Sequence, residues 1–127
     1  MRSTKKTDPS PSTIRSGCPI ATTLDLVGDK WTLILIRDML TGKSRYSEFL
    51  ASPEGIPTNI LANRLKRMEA AGLIAKRPYQ TKPPRFEYRP TAMGRGLIPV
   101  LQNICQWANA HIPGTWVPPR SFMELRP

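Results

Sequence analysis

The sequence predicts a mainly α-helical domain that carries one small β-hairpin. Four segments in the first part of the chain place apolar residues at helical spacing, and a fifth lies near the C-terminus. Between the fourth and the fifth, apolar and charged residues alternate, which is typical of strands. A chain of 127 residues, 39% of them apolar, can bury one core. The predicted order is four helices, two strands and a final helix.

The first two helices are marked by their end residues. Pro19 suits the first position of a helix, and Gly28 ends it. The apolar stripe of this helix consists of Ile20, Leu24 and Val27. Asp29 is a favourable N-cap for a second helix over Lys30–Leu40. Because this second helix is too apolar for a surface position, we expect it to form the centre of the core.

The third and fourth helices are separated by a short loop. The third is predicted by apolar residues at i, i+3 and i+4, which are Tyr46, Phe49 and Leu50. The segment SPEGIP, residues 52–57, forms the loop. The fourth helix covers Thr58–Ala71, and Gly72 follows at the position where a left-handed residue commonly ends a helix.

A β-hairpin is predicted after the fourth helix. The segment LIAKRPY, residues 73–79, is strand-like, and in the second strand Phe86 and Tyr88 alternate with charged residues. The connecting segment QTKPP forms a stiff turn with Lys82 at its tip. We expect Phe86, Tyr88 and Tyr79 to pack inward.

The last element is a long helix near the C-terminus. Thr91 is its predicted cap, and the helix extends to about His111. Pro99 lies inside it and should kink the helix or leave one backbone group unpaired, because proline has no N–H group.

Both ends of the chain lack the periodicity of the region between them. Residues 1–17 are predicted to form a disordered basic arm, and residues 113–127 an irregular Pro-rich tail. The domain is predicted to span 18–112. No apolar run approaches the roughly 20 residues of a membrane span, and no apolar stretch follows the N-terminal charges. We therefore expect a soluble, cytoplasmic protein.

The chain carries a net charge of +10, and its basic residues are concentrated in one stretch. Residues 58–89 contain eight Lys and Arg and only two acidic residues, a net charge of +6, whereas the rest of 18–112 is neutral. This concentration predicts a phosphate-binding surface, because each neutralised phosphate releases a counterion. The alternative is a solvated basic face without a polyanionic partner.

A short helix, a turn and a second helix followed by a hairpin form a winged helix-turn-helix, whose second helix enters the DNA major groove. In the fourth helix, Leu61, Leu65 and Met68 form one stripe, and polar residues occupy the opposite face. Amide and cationic side chains suit base edges and phosphates. The predicted DNA-binding residues of this helix are Thr58, Asn59, Asn63, Arg64, Lys66 and Arg67. The alternative is an ordinary solvated helix surface.

Two further pairs of cations are candidates for DNA contact. Lys82 and Arg85 in the hairpin would reach the minor groove or the backbone. Lys43 and Arg45, at the start of the third helix, are predicted to contact phosphate together with the positive N-terminus of that helix. The alternative for the hairpin is an exposed basic turn without a ligand.

Other functional classes find less support in the sequence. An enzyme is disfavoured, because the single histidine, His111, ends a helix and no HExxH, GxSxG, P-loop or GxGxxG motif is present. Cys18 and Cys105 lack CxxC spacing, so we expect no metal site and no cofactor. An RNA-binding or protein-binding winged helix is the second alternative, which aromatic residues on an exposed sheet face would favour.

The chain contains, in this order, the segments CPIATTLDLVGDKWTLILIRDML, RYSEFL, GIPTNILANRLKRMEAAGLIAKR, PPRFEYRPTAMGRGLIPVLQ and QWANAH. In order and spacing they resemble the HxlR-type family of winged helix regulators, which is related in architecture to MarR-type proteins. The resemblance extends from about Cys18 to Ile112. One departure is that Pro57 and Thr58 stand where the family often has Ser followed by Pro. The resemblance implies a bacterial transcriptional regulator that binds palindromic operator DNA as a homodimer.

The resemblance also implies that the first and last helices form the dimer interface. The last helix carries apolar residues on more sides than one domain needs, and a two-fold partner would bury them. The predicted interface residues are Ile20, Leu24, Leu101, Ile104 and Trp107. The alternative is a monomer whose own C-terminal segment, with Trp116 and Phe122, covers this surface.

Cys18 is a candidate redox or electrophile sensor. At the start of the first helix, the free amides of Ile20 and Ala21 would stabilise a thiolate, and Arg15 could add to this effect. Some HxlR-type regulators resemble oxidant or electrophile sensors with a cysteine at this position, so the effector could be an oxidant or an electrophile. The alternative is a small apolar residue near the dimer seam. Cys105 is predicted to lie in the core.

Overall fold

The structure, a computed structural model, describes residues 14–127. Within this range it contains seven helices and one antiparallel pair of strands. The helices are α1 (Pro19–Val27), α2 (Thr32–Leu40), α3 (Tyr46–Leu50), α4 (Thr58–Ala70), α5 (Ala92–Arg95), α6 (Ile98–His111) and α7 (Arg120–Met123). The strands β1 (Ile74–Thr81) and β2 (Pro84–Pro90) form the wing. The predicted winged helix-turn-helix fold is confirmed. Most of the predicted N-terminal arm lies outside the described residues.

The hydrophobic core forms around α2, as the sequence predicts. Leu35 and Ile36 of this helix are almost completely buried, and they belong to the same cluster as Phe49 of α3 and Leu61 of α4. Burial of side chains of this size contributes about 1.5–3 kcal/mol each. The core therefore joins the first helices of the domain to α4.

Asp29 caps α2, although the regular helix begins at Thr32, two residues later than predicted. The Asp29 carboxylate accepts hydrogen bonds from the backbone amides of Trp31 (3.0 Å) and Thr32 (3.1 Å) and from the Thr32 hydroxyl. At Trp31 the backbone φ is −117°, which distorts the first turn. The cap residue was therefore predicted correctly, and the helix start was not.

The long last helix predicted from the sequence is divided into α5 and α6. Thr91 caps α5 as expected, because its hydroxyl accepts a hydrogen bond from the Gly94 amide. Pro99 lies in the first turn of α6, where the missing N–H group costs nothing. The chain therefore breaks before the proline and starts a new helix. Gly94 also lets α5 approach the residue that precedes β1, since a Cβ there would lie 2.2 Å from the Leu73 carbonyl oxygen.

The wing packs on the helices through the inward face of β2. Tyr88 is buried, and its ring lies 6.3 Å from that of Tyr46 and 6.4 Å from that of Phe49. Phe86 is half-buried against the same core. The inward orientation predicted for these two aromatic residues of β2 is confirmed.

Tyr79 differs from the prediction, because 38% of its surface is exposed. It lies where the register between the strands shifts, between Pro78 and Gln80. Such a bulge breaks the alternation of inward and outward side chains. The ring instead packs against Arg45, whose guanidinium carbon lies 3.7 Å from the ring centroid.

Part of the predicted irregular tail is helical and packs on the domain. Phe122 of α7 is buried in the core, and Gln102 of α6 holds the segment in place. The Gln102 amide nitrogen donates to the carbonyl oxygens of Phe122 (3.1 Å), Met123 (3.1 Å) and Leu125 (2.9 Å). Trp116, in contrast, is 78% exposed. The tail therefore covers α6 only in part.

Among the described residues, no helix is both long enough and apolar enough to span a membrane.

Candidate nucleic-acid interface

Helix α4 has one buried face and one exposed face. Leu61, Leu65 and Met68 are each at most 2% exposed, and they fix the rotation of the helix about its own axis. Its N-terminus follows Pro57 without a side-chain cap. Its end is as predicted, since Gly72 takes a positive φ of 82°.

The exposed face of α4 brings together most of the predicted DNA-binding residues of this helix. Asn59, Asn63, Lys66 and Arg67 follow one another at helical spacing and all are exposed, as is Thr58 at the N-terminus. Neither Lys66 nor Arg67 forms an ion pair with another residue of 14–127. The face therefore presents two cations without an ion pair and two amides, one of which, Asn63, accepts a hydrogen bond from Arg64.

Arg64 does not share this orientation, and here the prediction needs correction. Its Nε donates to the Asp29 carboxylate at 2.9 Å, and its Nη1 donates to Oδ1 of Asn63. Only 20% of the Arg64 side chain is exposed. The residue therefore fastens α4 to the start of α2. Sequence periodicity could not reveal this role, because the two partners lie 35 residues apart.

Asp29 is ionised at neutral pH. Partial burial opposes ionisation, but hydrogen bonds from Thr32, Trp31 and Arg64 outweigh it and lower the pKa of the Asp29 carboxyl below its ordinary value. The contact with Arg64 is therefore an ion pair as well as a hydrogen bond.

Lys43 is also engaged within the protein, contrary to its predicted role at phosphate. Its Nζ donates to the Ser52 hydroxyl at 2.7 Å, and this hydroxyl donates to the buried Asp38 carboxylate at 2.6 Å. Arg37 contacts the same carboxylate at 2.8 Å and forms a bidentate pair with Glu54. This network ties the loop before α4 to the C-terminal end of α2.

Arg45 is held at the base of the wing. Its guanidinium stacks on Tyr79, and its Nη2 lies 3.1 Å from the Glu87 carboxylate. Arg77 and Arg89 lie 3.8 and 4.0 Å from the same carboxylate. Sequence reasoning missed these last two arginines, although they sit on the same side of the hairpin as Glu87 by strand alternation. Three partly exposed arginines thus share one acidic residue.

The N-terminus of α3 offers no free amides to a phosphate. One Glu48 carboxylate oxygen accepts hydrogen bonds from the backbone amides of Ser44 (2.8 Å) and Arg45 (2.9 Å). The helix is also only five residues long. The predicted phosphate site at this helix end is therefore replaced by an internal cap.

Lys82 and Arg85 lie at the tip of the wing, and both are exposed. The Gln80 side-chain amide donates to the Pro83 carbonyl oxygen at 3.1 Å and stiffens the turn between them. No ion pair involves either cation within the described part of the chain. The tip therefore presents two free positive charges.

Four of the five predicted dimer residues are exposed. Ile20 and Leu24 of α1 are 71% and 58% exposed, and Ile104 and Trp107 of α6 are 46% and 61% exposed. Leu101 is the exception, because it is 7% exposed and belongs to the core of its own chain. Leu101 lies on the side of α6 that packs against the core of the domain.

Cys18 occupies the N-cap position of α1 and is exposed. The backbone amides of Ala21 and then Ile20 lower the pKa of its thiol, burial opposes this slightly, and Arg15 adds a smaller favourable effect. Arg15 is held nearby by two hydrogen bonds to Asp25. Cys105 is half-buried against the core, as predicted.

The chain is similar in sequence and in fold to several transcriptional regulators. A family model described as HxlR-like helix-turn-helix matches residues 26–115. The chain is 35% identical over 97 residues to the HTH-type transcriptional regulator YybR of Bacillus subtilis, covering 76% of this chain and 78% of that protein. It is 37% identical over 95 residues to the regulator YdeP of the same organism, covering 75% and 74%. The reduced form of the redox regulator HypR has a TM-score of 0.69 and 33% identity, covering 76% of this chain and 95% of that one.

The network before α4 leads to a stability prediction. Ser52→Ala removes the hydroxyl that bridges Asp38 and Lys43, so the buried carboxylate loses a donor. We expect the free energy of unfolding to fall by about 1–3 kcal/mol in urea denaturation. The matched control is Ser47→Ala, at an exposed position of α3, which should change it by less than about 0.5 kcal/mol. Equal stability of the two variants would contradict the role of the network.

Proposed function

Because the chain belongs to the HxlR-like helix-turn-helix family and is similar to HTH-type transcriptional regulators, we propose that it binds a double-stranded operator as a homodimer. The binding surface in this proposal consists of α4 and the wing. The observation that carries this proposal is the exposed polar face of α4, which lies opposite a buried apolar face. A helix whose exposed face keeps most of its polar groups without partners among residues 14–127 suits the major groove.

In this proposal the two parts of the surface have different tasks. Asn59, Asn63 and Arg67 contact base edges, which amide and guanidinium groups can distinguish by their donors and acceptors. Lys82 and Arg85 contact the backbone or the adjacent minor groove, where a positive charge adds affinity irrespective of sequence. Sequence preference therefore comes from α4, and much of the salt dependence comes from the wing.

A homodimer is supported by the apolar residues that α1 and α6 leave exposed. Trp107 at 61% exposure is a large apolar side chain at the surface of a helix, and Ile20 is exposed to a still greater extent. A two-fold partner would remove both from water. The two copies of α4 would then address half-sites about one helical turn, roughly 34–36 Å, apart.

We further propose that an oxidant or electrophile acts at Cys18. The support is the exposed thiol at a helix N-terminus, whose lowered pKa favours the nucleophilic thiolate. HypR, a redox regulator with 33% identity, has the same fold. Modification would place a new group on α1, change the relative placement of the two protomers and so change operator affinity.

Base contact and backbone contact are separable by mutation. Asn63→Ala should cost about 1–3 kcal/mol in operator binding and relax the preference at one base pair per half-site. Lys82→Ala should weaken binding to all duplexes alike and reduce the slope of log affinity against log salt by about one. Fluorescence anisotropy on selected and scrambled duplexes measures both. If Asn63→Ala retained the sequence preference, the assignment of this face would be wrong.

The dimer is tested at α6. Light scattering at micromolar concentration should give the wild type a mass of twice the 14.3 kDa of one chain. Trp107→Glu should have the mass of a single chain, because a charge buried without a partner disfavours association. Trp116→Glu alters a tryptophan that is even more exposed but lies outside α6, and this variant should stay dimeric. A wild type that scattered as one chain would refute the dimer.

The proposed sensor is tested by substituting each of the two cysteines separately. Diamide or a quinone should change operator affinity in the wild type and in Cys105→Ser, but not in Cys18→Ser. The rate of thiol alkylation should also reach half its maximum at a pH below that of free cysteine, because the pKa of the Cys18 thiol is lowered. An identical oxidant response in all three proteins, or none in any, would exclude the role of Cys18.

A further inference from the structure

Asp29, Arg64 and Asn63 form a connected row of side chains that leads from the start of α2 to the exposed face of α4. The carboxylate of Asp29 is fixed by the first turn of α2, where it accepts two backbone hydrogen bonds. The Asp29 carboxylate also accepts a hydrogen bond from Nε of Arg64 at 2.9 Å. Nη1 of the same guanidinium donates to Oδ1 of Asn63. A residue of the DNA-facing surface is thus held by a residue of the scaffold.

The chemistry of the guanidinium determines which end of the Asn63 amide it meets. A guanidinium carries only donors, so the amide atom beside it must be the oxygen. The two ends of an asparagine amide are otherwise exchangeable by rotation about its last bond. With Oδ1 turned toward Arg64, Nδ2 and its two hydrogens are the end that remains unoccupied.

We propose that Asp29 and Arg64 set the DNA sequence preference by fixing the Asn63 amide with its NH₂ end toward the base. This inference rests on the proposed function, in which Asn63 lies in the major groove. Guanine presents two acceptors there, N7 and O6, whereas adenine presents one acceptor and one donor. The bidentate contact between asparagine and adenine needs the amide oxygen at the base edge as well as the nitrogen, whereas this orientation directs the oxygen to Arg64. The position facing Asn63 is therefore guanine in preference to adenine.

The ion pair is what keeps Arg64 from acting as an ordinary DNA contact. Both partners are partly shielded, with 20% of the Arg64 side chain and 26% of the Asp29 side chain exposed. Screening by salt is weaker for such a pair than for one at the open surface. Without Asp29, the guanidinium would be free to turn to a phosphate, and the amide of Asn63 could rotate.

Two variants remove this restraint in different ways. Asp29→Asn keeps a residue that caps helices as well as aspartate does, but it removes the charge. Arg64→Met keeps most of the aliphatic stem and removes every donor. The matched control is Asp25→Asn, which neutralises an exposed aspartate of α1 that pairs with Arg15.

The test is selection of bound duplexes from a randomised pool, followed by sequencing. The wild type and Asp25→Asn should select guanine over adenine at one position per half-site. In Asp29→Asn and Arg64→Met this ratio should fall by about fivefold or more. In the absence of DNA, the NMR order parameter of the Asn63 side-chain amide should also drop in both variants relative to the wild type.

Two results would overturn the proposal, and they differ in their consequences. If Asp29→Asn and Arg64→Met kept the wild-type base preference while Asn63→Ala lost it, α4 would still read DNA but the restraint would have no effect on specificity. If Asn63→Ala also kept that preference, the assignment of Asn63 to the groove would fail together with this proposal.

Discussion

Burial of one face of α4 is the constraint on which the proposed DNA-binding surface depends. Leu61, Leu65 and Met68 lie in the core built around α2, and each contributes on the order of 1.5–3 kcal/mol by leaving water. Rotation of α4 about its axis would expose these side chains and bury polar ones without partners. The opposite face, with Asn63 and Arg67, is therefore held toward solvent by contacts that it does not itself make.

Charge in this protein divides into a structural part and a part that faces solvent. Arg64 pairs with Asp29, Lys43 is bound to Ser52, and Arg45 shares Glu87 with two further arginines. Because these cations position α4 and the wing, their charges are not fully available to bind DNA. Four predicted DNA-binding cations remain exposed and without an ion pair inside residues 14–127, and they are Lys66, Arg67, Lys82 and Arg85.

Periodicity in the sequence predicted the elements and missed the long-range polar contacts, for a physical reason. Helix α4 and the wing follow from the spacing of apolar residues, which records the face that each element buries. The pairing of Arg64 depends on Asp29, which is brought near only by folding, so an outward position on the helix was the natural expectation. Leu101 was misassigned similarly, because the apolar character of a residue does not tell whether its own chain or a partner covers it.

The placement of α4 in the major groove is the central claim, and directed cleavage of bound DNA tests it most directly. Ala62 is exposed on α4 between Asn59 and Lys66, so Ala62→Cys in a Cys18→Ser, Cys105→Ser background offers one attachment site for iron–EDTA. The account predicts two clusters of hydroxyl-radical cleavage, about one helical turn apart, with the strand stagger of the major groove. Cleavage with the stagger of the minor groove, or none on a duplex that is demonstrably bound, would contradict it.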